Sequence, residues 1–222
     1  MLRYLIGRLF ATIPVIVLIS LLVFLLIHAA PGDPATLLLS EEASPEDIAE
    51  ARRRWGLDQP VYVQYLRFLA NVLVGDLGIS FRYSDPVIEL IGQRLPATVE
   101  LAAASLLIAV LIGVPLGVWA GARPNSWADN LGSMFGFFGI SMPSFWLGIM
   151  LILVVSGYFN WLPSSGRNTY GVAQGADGGF YIINSLFVGN MKAAVDGVKH
   201  IIMPAIALGT GMLGLVMRVT RS

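Results

Sequence analysis

The segment Leu95–Pro124, LPATVELAAASLLIAVLIGVPLGVWAGARP, decides the class of fold. Glu100 is its last acid and Arg123 the next base, so the 22 residues from Leu101 to Ala122 carry no charge. As a helix they extend about 33 Å, enough to cross a hydrocarbon core of about 30 Å. Gly113, Gly117 and Gly121 recur at every fourth position. That spacing predicts a flat strip along which a second helix backbone comes close. Pro115 lies inside the same run, and lipid tolerates it only where neighbouring protein re-satisfies the carbonyl it frees. The segment therefore reads as a membrane helix buried among others.

The rest of the composition agrees. Of 222 residues, 56% are hydrophobic and 13% charged, against about 45–50% and about 25% in soluble domains. The chain is expected to be an all-α membrane protein. Fourteen bases balance 14 acids, so no charge excess points to nucleic acid. There is no cysteine, hence no disulfide framework or thiolate metal site. The two lysines, Lys192 and Lys199, sit in no G-x-x-x-x-G-K-[ST] pattern, so the chain has no phosphate-binding P-loop.

Outward from the central run, the charge pattern predicts four spans. Residues 1–8 form a basic arm and 9–30 the first span, whose apolar run exceeds the 7–15 residues of a signal peptide core. Pro31-Gly32-Asp33-Pro34 ends it. Residues 31–96 read as a polar extracytoplasmic cap of short helices. In it Ser44-Pro45-Glu46-Asp47 is a helix start, Arg52–Arg54 with Gly56 the stop, and a second helix runs from about Pro60 to Val74. Val61, Tyr65, Leu66, Leu69, Val72 and Leu73 share one face of that second helix. A third short helix after Asp85-Pro86 leads into the central span, 97–121.

A loop at 122–129 connects to a third span at 130–159, with a further glycine pair at Gly132 and Gly136. Ser141-Met142-Pro143-Ser144-Phe145-Trp146 falls near its middle. This is either a broken helix beside a cavity or a kink whose serines cap the freed carbonyls. Residues 160–199 return to loop character, with a surface helix over Asn190–Lys199. The fourth span, 200–217, carries Pro204, Gly209, Gly211 and Gly214, so it must be held by neighbours. Residues 218–222 follow it. Arg3, Arg8, Arg123, Arg218 and Arg221 fall on one side of these spans, which predicts a cytoplasmic N-terminus.

Apart from Glu100 at the edge of the second, no Asp, Glu, Lys or Arg lies within the four predicted spans. Ion-coupled transporters and proton pumps place such groups there, so a self-powered transporter is not expected. Neither is an intramembrane protease. Paired carboxylates and H-E-x-x-H are absent, and His28 and His200 sit at span ends, away from Ser141 and Ser144. A helical conduit with an outer docking surface remains, with a non-conducting membrane assembly subunit as the rival.

The motifs, in order, resemble one family. They are Leu2-Arg3-Tyr4-Leu5 with Arg8-Leu9, Pro31-Gly32-Asp33-Pro34, Leu57-Asp58-Gln59-Pro60 with Tyr65, and Gly75-Asp76-Leu77-Gly78-Ile79-Ser80 with Pro86-Val87. Leu95 to Leu101, Gly113-Val114-Pro115-Leu116-Gly117, Ser141 to Trp146, Trp161 to Gly166, and His200 with Met203-Pro204-Ala205 complete the series. Over its whole length the chain resembles the permease subunit of bacterial ATP-binding-cassette importers of the dipeptide/oligopeptide type. The resemblance implies the type I importer transmembrane fold and location in the bacterial inner membrane. It implies as partners a second homologous permease, two ATPase subunits and an extracytoplasmic binding protein. ATP and Mg would be bound by the ATPases, with no cofactor on this chain. The cargo would be peptide, or alternatively nickel or glutathione. The family's coupling helix and last two spans would follow Ser222, so the chain is expected to be a piece of the six-span fold.

Within that frame Ser141, Pro143, Ser144, Phe145, Trp146, Met212 and Met217 are candidates for the translocation path. Gly113, Gly117, Gly121, Gly132 and Gly136 are candidates for helix packing. Trp55, Tyr62 and Arg82 are candidates for the face that meets the binding protein, with a core role open for Trp55.

Overall fold

The computed structural model describes residues 2–29, 44–80, 82–122, 124, 126–127, 130, 132, 134, 136, 139, 141–172 and 179–222. The Pro31–Pro34 stop, the side chain of Trp55, half of the 122–129 connection and most of the glycine-rich stretch before Gly179 lie outside the described residues. The described elements are helical. The one extended pairing among them is an isolated bridge between Ile79 and Pro86. The chain divides into two compact units, Met1–Ile91 and Gly92–Ser222.

In the first unit, α1 spans Leu2–Ala29, with Pro14 inside it. α2 spans Pro45–Trp55. Its start is a capping box: Ser44 Oγ accepts from Asp47 N at 3.2 Å, and the Asp47 carboxylate accepts from Ser44 N at 3.0 Å. The bond that the Ser44 hydroxyl donates to the Asp47 carboxylate, with the one from Ser44 N, holds that carboxyl below the ordinary carboxylate range. Gly56 ends α2 at φ 68°, a left-handed conformation that glycine adopts without cost. α3 spans Val61–Leu73. The face expected to be shared by its apolar residues is split. Tyr65 is buried, whereas Val61, Leu66 and Leu73 are exposed.

Two predicted junctions are absent. α4 runs without a break from Val87 to Gly121, absorbing the separate short helix expected after Pro86. Pro96 removes one N–H but leaves the rest of the ladder intact. The long C-terminal helix, here α7, likewise runs from Met191 to Arg221 and merges the expected surface helix with the fourth span. Nothing between Lys199 and Ile201 breaks a helix, and Pro204 costs a single backbone bond. Between these two, residues 130–141 are helical wherever described. The helix stops at Met142, and α5 restarts at Ser144–Leu151 with Pro143 as its N-cap. It widens into a π-helix over Ile152–Tyr158. α6 is the short Tyr181–Phe187.

α1, α4 and α7 are each long and apolar enough to cross a membrane. Their order of burial inverts their order of hydropathy. The best stretch of α1 has mean hydropathy 3.0 and none of it buried within the protein, while that of α7 has 1.8 and 39% buried. α7 is the packing hub of the second unit. Its small residues Ala193, Ala194, Gly197, Ala205, Ala207, Gly209 and Gly214 are all buried. Low hydropathy there reflects close approach of neighbouring backbones, which small side chains permit.

Candidate functional site

The second unit contains a helix seam, a helix break and a polar cluster. The seam joins α4 to α7. A Cβ on Gly113 would stand 3.2 Å from Leu213 O, one on Gly117 2.9 Å from Met217 O, and one on Gly121 3.1 Å from Arg221 O. All three glycines of the strip thus face the backbone of one helix. Toward the other side of α7, a Cβ on Gly132 would meet Met217 Cε at 2.5 Å and one on Gly136 Met217 Sδ at 3.7 Å. Met217 is 2% exposed. It fills the gap where α4 and the 130–141 helix converge on α7, and so stands in packed protein away from any open surface.

The break lies beside the middle of α7. On one side of it, a Cβ on Gly139 would stand 2.7 Å from Thr210 O; on the other, one on Gly148 would stand 3.8 Å from Ala207 Cβ. The close approach of Gly139 lets a broken helix lie against α7 without a side chain between them. Ser141, Pro143 and Ser144 are exposed, as are Phe145 at 71% and Trp146. Met212 is exposed on α7. The break and the π-helix together leave backbone groups outside the regular ladder, an arrangement that membranes accommodate beside protein or a wet cavity.

The polar cluster was not singled out from sequence. Glu100, 8% exposed, sits one turn into the central span. Its carboxylate accepts from Arg167 Nη2 at 2.8 Å and from Ile182 N at 2.9 Å. Arg167 Nη2 also donates to Gly179 O, and its Nε is buried without a partner among the described residues. One carboxylate thereby ties the 160–180 segment and the start of α6 to α4. Beside it, Asp196 on α7 accepts from Thr169 N and Oγ1, both at 2.7 Å, and stands 3.7 Å from His200 Nδ1. Glu100, Arg167, Tyr181 and His200 line a cavity of about 200 Å³ together with Ala97, Gly166 and Pro204. Burial, aided by the Asp196 charge, pushes the Tyr181 phenol above its usual range. Glu100 and Arg167 are 67 positions apart, so no local spacing announces the pair. The one sequence signal was Glu100 as the acid that closes the uncharged run.

Chemically the cluster is a clasp. The Glu100 carboxylate is already occupied by two donors. Among the described residues no group of three or more His, Asp or Glu side chains could hold a metal ion. Of the other candidates, Tyr62 is exposed on α3. Arg82 is exposed, with its guanidinium 5.6 Å from the Tyr83 ring centroid.

Comparison with known proteins covers the whole chain. Residues 1–102 match the family described as the N-terminal part of the binding-protein-dependent transport system membrane component, and residues 113–222 match the inner membrane component of the same systems. A dipeptide transport system permease protein of Alkalihalophilus pseudofirmus is 37% identical over 222 residues, 100% of this chain and 67% of the relative. A probable D,D-dipeptide transport system permease protein of Escherichia coli is 39% identical over 92% of this chain and 60% of its own length. A glutathione transport system permease protein of Salmonella paratyphi A is 35% identical over 100% of this chain and 63% of its own length. The chain thus spans about two thirds of the length of these relatives.

Proposed function

The chain belongs to the family of binding-protein-dependent transport system inner membrane components, the permease subunits of ATP-binding-cassette importers, and from that premise we propose that it helps form the path for peptides entering the cell. One observation carries the choice of cargo: similarity over 92–100% of the chain to permeases named for dipeptides, D,D-dipeptides and glutathione, itself a peptide. The membrane is the bacterial inner membrane, with the N-terminus in the cytoplasm. The complex contains a second homologous permease, two ATPase subunits that bind ATP and Mg, and an extracytoplasmic binding protein that delivers the peptide.

In this reading the helix break is the moving part of the path. Ser141, Pro143, Ser144, Phe145 and Trp146 line it with Met212, and the interrupted backbone offers polar groups to a peptide main chain. Aromatic faces at Phe145 and Trp146 accept varied side chains without demanding one. Met217 contributes by holding the seam. The glycines at 113, 117, 121, 132 and 136 add no side chain of their own to the contact with α7, which lets the helices shift as packed bodies. Arg82 lies on the face that receives the binding protein. Energy enters from the ATPases, since a conformational equilibrium shifts only by differential contact with its two states. Capturing the cognate binding protein on the assembled complex and identifying its bound ligand by mass spectrometry tests the cargo. Peptides are the expected ligands, and a bound metal ion without peptide would refute the choice.

A further inference from the structure

We infer that α3, Val61–Leu73, is an interfacial membrane helix whose Tyr62, Leu66, Leu69 and Leu73 ridge is seated in the lipid leaflet around the C-terminal end of α1. In the orientation proposed above this is the outer leaflet, and the inference rests only on α1 being a membrane span. The first observation is where α3 docks. The Tyr65 hydroxyl donates to Val17 O at 3.0 Å and shares a 2.9 Å hydrogen bond with Ser20 Oγ. Gln64 Oε1 lies 3.0 Å from His28 Nε2. The Phe24 ring packs against Tyr65 and Phe68, with centroids 5.3 and 6.1 Å apart. Val17, Ser20, Phe24 and His28 are not beyond the span. They lie in its last three to four turns, where Leu22, Leu25, Leu26 and Ile27 are exposed on the other faces. Hydrocarbon must cover those side chains, and a helix laid against the same turns shares that surroundings.

The second observation is the arrangement of α3 itself. Tyr62, Leu66, Leu69 and Leu73 follow the i, i+4, i+7, i+11 spacing of one helix face. Leu66 is 60% and Leu73 88% exposed. Gln64, Arg67 and Asn71 occupy the opposite face. The Arg67 guanidinium rests over Gly56, at the turn between α2 and α3. Gln64 Nε2 donates to Leu57 O and Gln59 O in the same turn. The helix contains no acid. With one flank on α1, the leucine ridge and the polar edge are the two sides left. A helix of this kind lies flat with its apolar face at the boundary of headgroups and acyl chains. The aromatic and hydroxyl of Tyr62 suit that boundary, so Tyr62 serves the bilayer, and not the soluble partner expected from sequence. The helix stiffens the entry of α1 by adding a second contact to the same leaflet.

The experiment uses the assembled complex in lipid nanodiscs. The absence of native cysteine allows single nitroxide labels on this chain through Leu66→Cys and Leu73→Cys, with Leu22→Cys as the lipid reference and Glu46→Cys as the aqueous one. Collision with oxygen should exceed collision with a water-soluble nickel chelate at Leu66 and Leu73 by the same factor as at Leu22. A nickel-dominated ratio like that of Glu46 would overturn the inference, as would low collision with both, the mark of a protein partner on the ridge. The unaltered complex provides the second readout. A phospholipid with a photoreactive acyl chain should mark α3 on the ridge residues together with α1. Strong marking of Leu22–Ile27 with none on α3 would equally refute it.

Discussion

Replacing Gly117 by leucine tests the seam where the geometry is tightest. A Cβ there would stand 2.7 Å from Thr220 Cβ and 2.9 Å from Met217 O, against the 3.4 Å at which ordinary contact begins, a shortfall of about 0.7 Å. Neither neighbour yields easily. Met217 O is helix backbone, and the Thr220 hydroxyl is tied to Val216 O at 2.8 Å. Relief therefore requires α4 and α7 to move apart, which also loosens the contacts at Gly113 and Gly121. Overpacking of this kind costs about 1–3 kcal/mol. Alanine would recover about 1 kcal/mol through helix propensity and blur the result. Leucine adds three more carbons to the same space. Gly92, on the same helix with nothing within 4 Å of a Cβ, is the control. In detergent the Gly117→Leu complex should lose several degrees of Tm, at about 2–4 °C per kcal/mol for a domain of this size, while Gly92→Leu holds or gains. Equal melting of Gly117→Leu and wild type would refute the close-approach argument.

The remaining predictions concern the clasp, the cap and the orientation. Glu100→Gln keeps the shape but removes the charge facing Arg167; hydrogen exchange should quicken over 179–187 while the α4–α7 seam stays protected, and unchanged exchange there would deny Glu100 its anchoring role. The Asp47 carboxyl is held below the ordinary carboxylate range of about 4, so its contribution to α2 is complete above that range and is lost as pH falls through the depressed value. Protection of residues 45–55, corrected for intrinsic exchange, should drop at low pH, and Asp47→Asn should remove the pH dependence. In intact cells, an impermeant thiol reagent should reach Glu46→Cys and spare Arg123→Cys; the opposite pattern would invert the orientation.

Much of this was legible in the sequence because it is local. The Ser44 capping box, the Gly56 stop and the helix break at Met142-Pro143 each follow from a few adjacent residues. The helix lengths were harder. Pro96 and His200 read as junctions, yet one proline costs a single ladder bond and one polar side chain costs none, so packed helices of 35 and 31 residues run through them. The importance of α7 was masked by the property that makes it central: glycine and alanine lower its hydropathy, and only the neighbours show why. The Glu100–Arg167–Ile182 clasp joins residues 67 and 82 positions apart, and such pairing depends on how helices stack. Met212 and Met217 looked alike in sequence, five residues apart on one helix. They separate in three dimensions because position 217 alone meets the gap left by Gly132 and Gly136.

The most direct test of the central claim is uptake by proteoliposomes. A complex containing this chain, the second permease and both ATPases would be reconstituted with ATP inside and the binding protein loaded with labelled dipeptide outside. The account predicts accumulation that requires ATP and binding protein together. It also predicts that Ser141→Trp, which fills the helix break, abolishes accumulation while the complex stays assembled. Full ATP-driven uptake in the Ser141→Trp complex would contradict the proposed path, and assembled wild type that moves no peptide under any of these conditions would contradict the function itself.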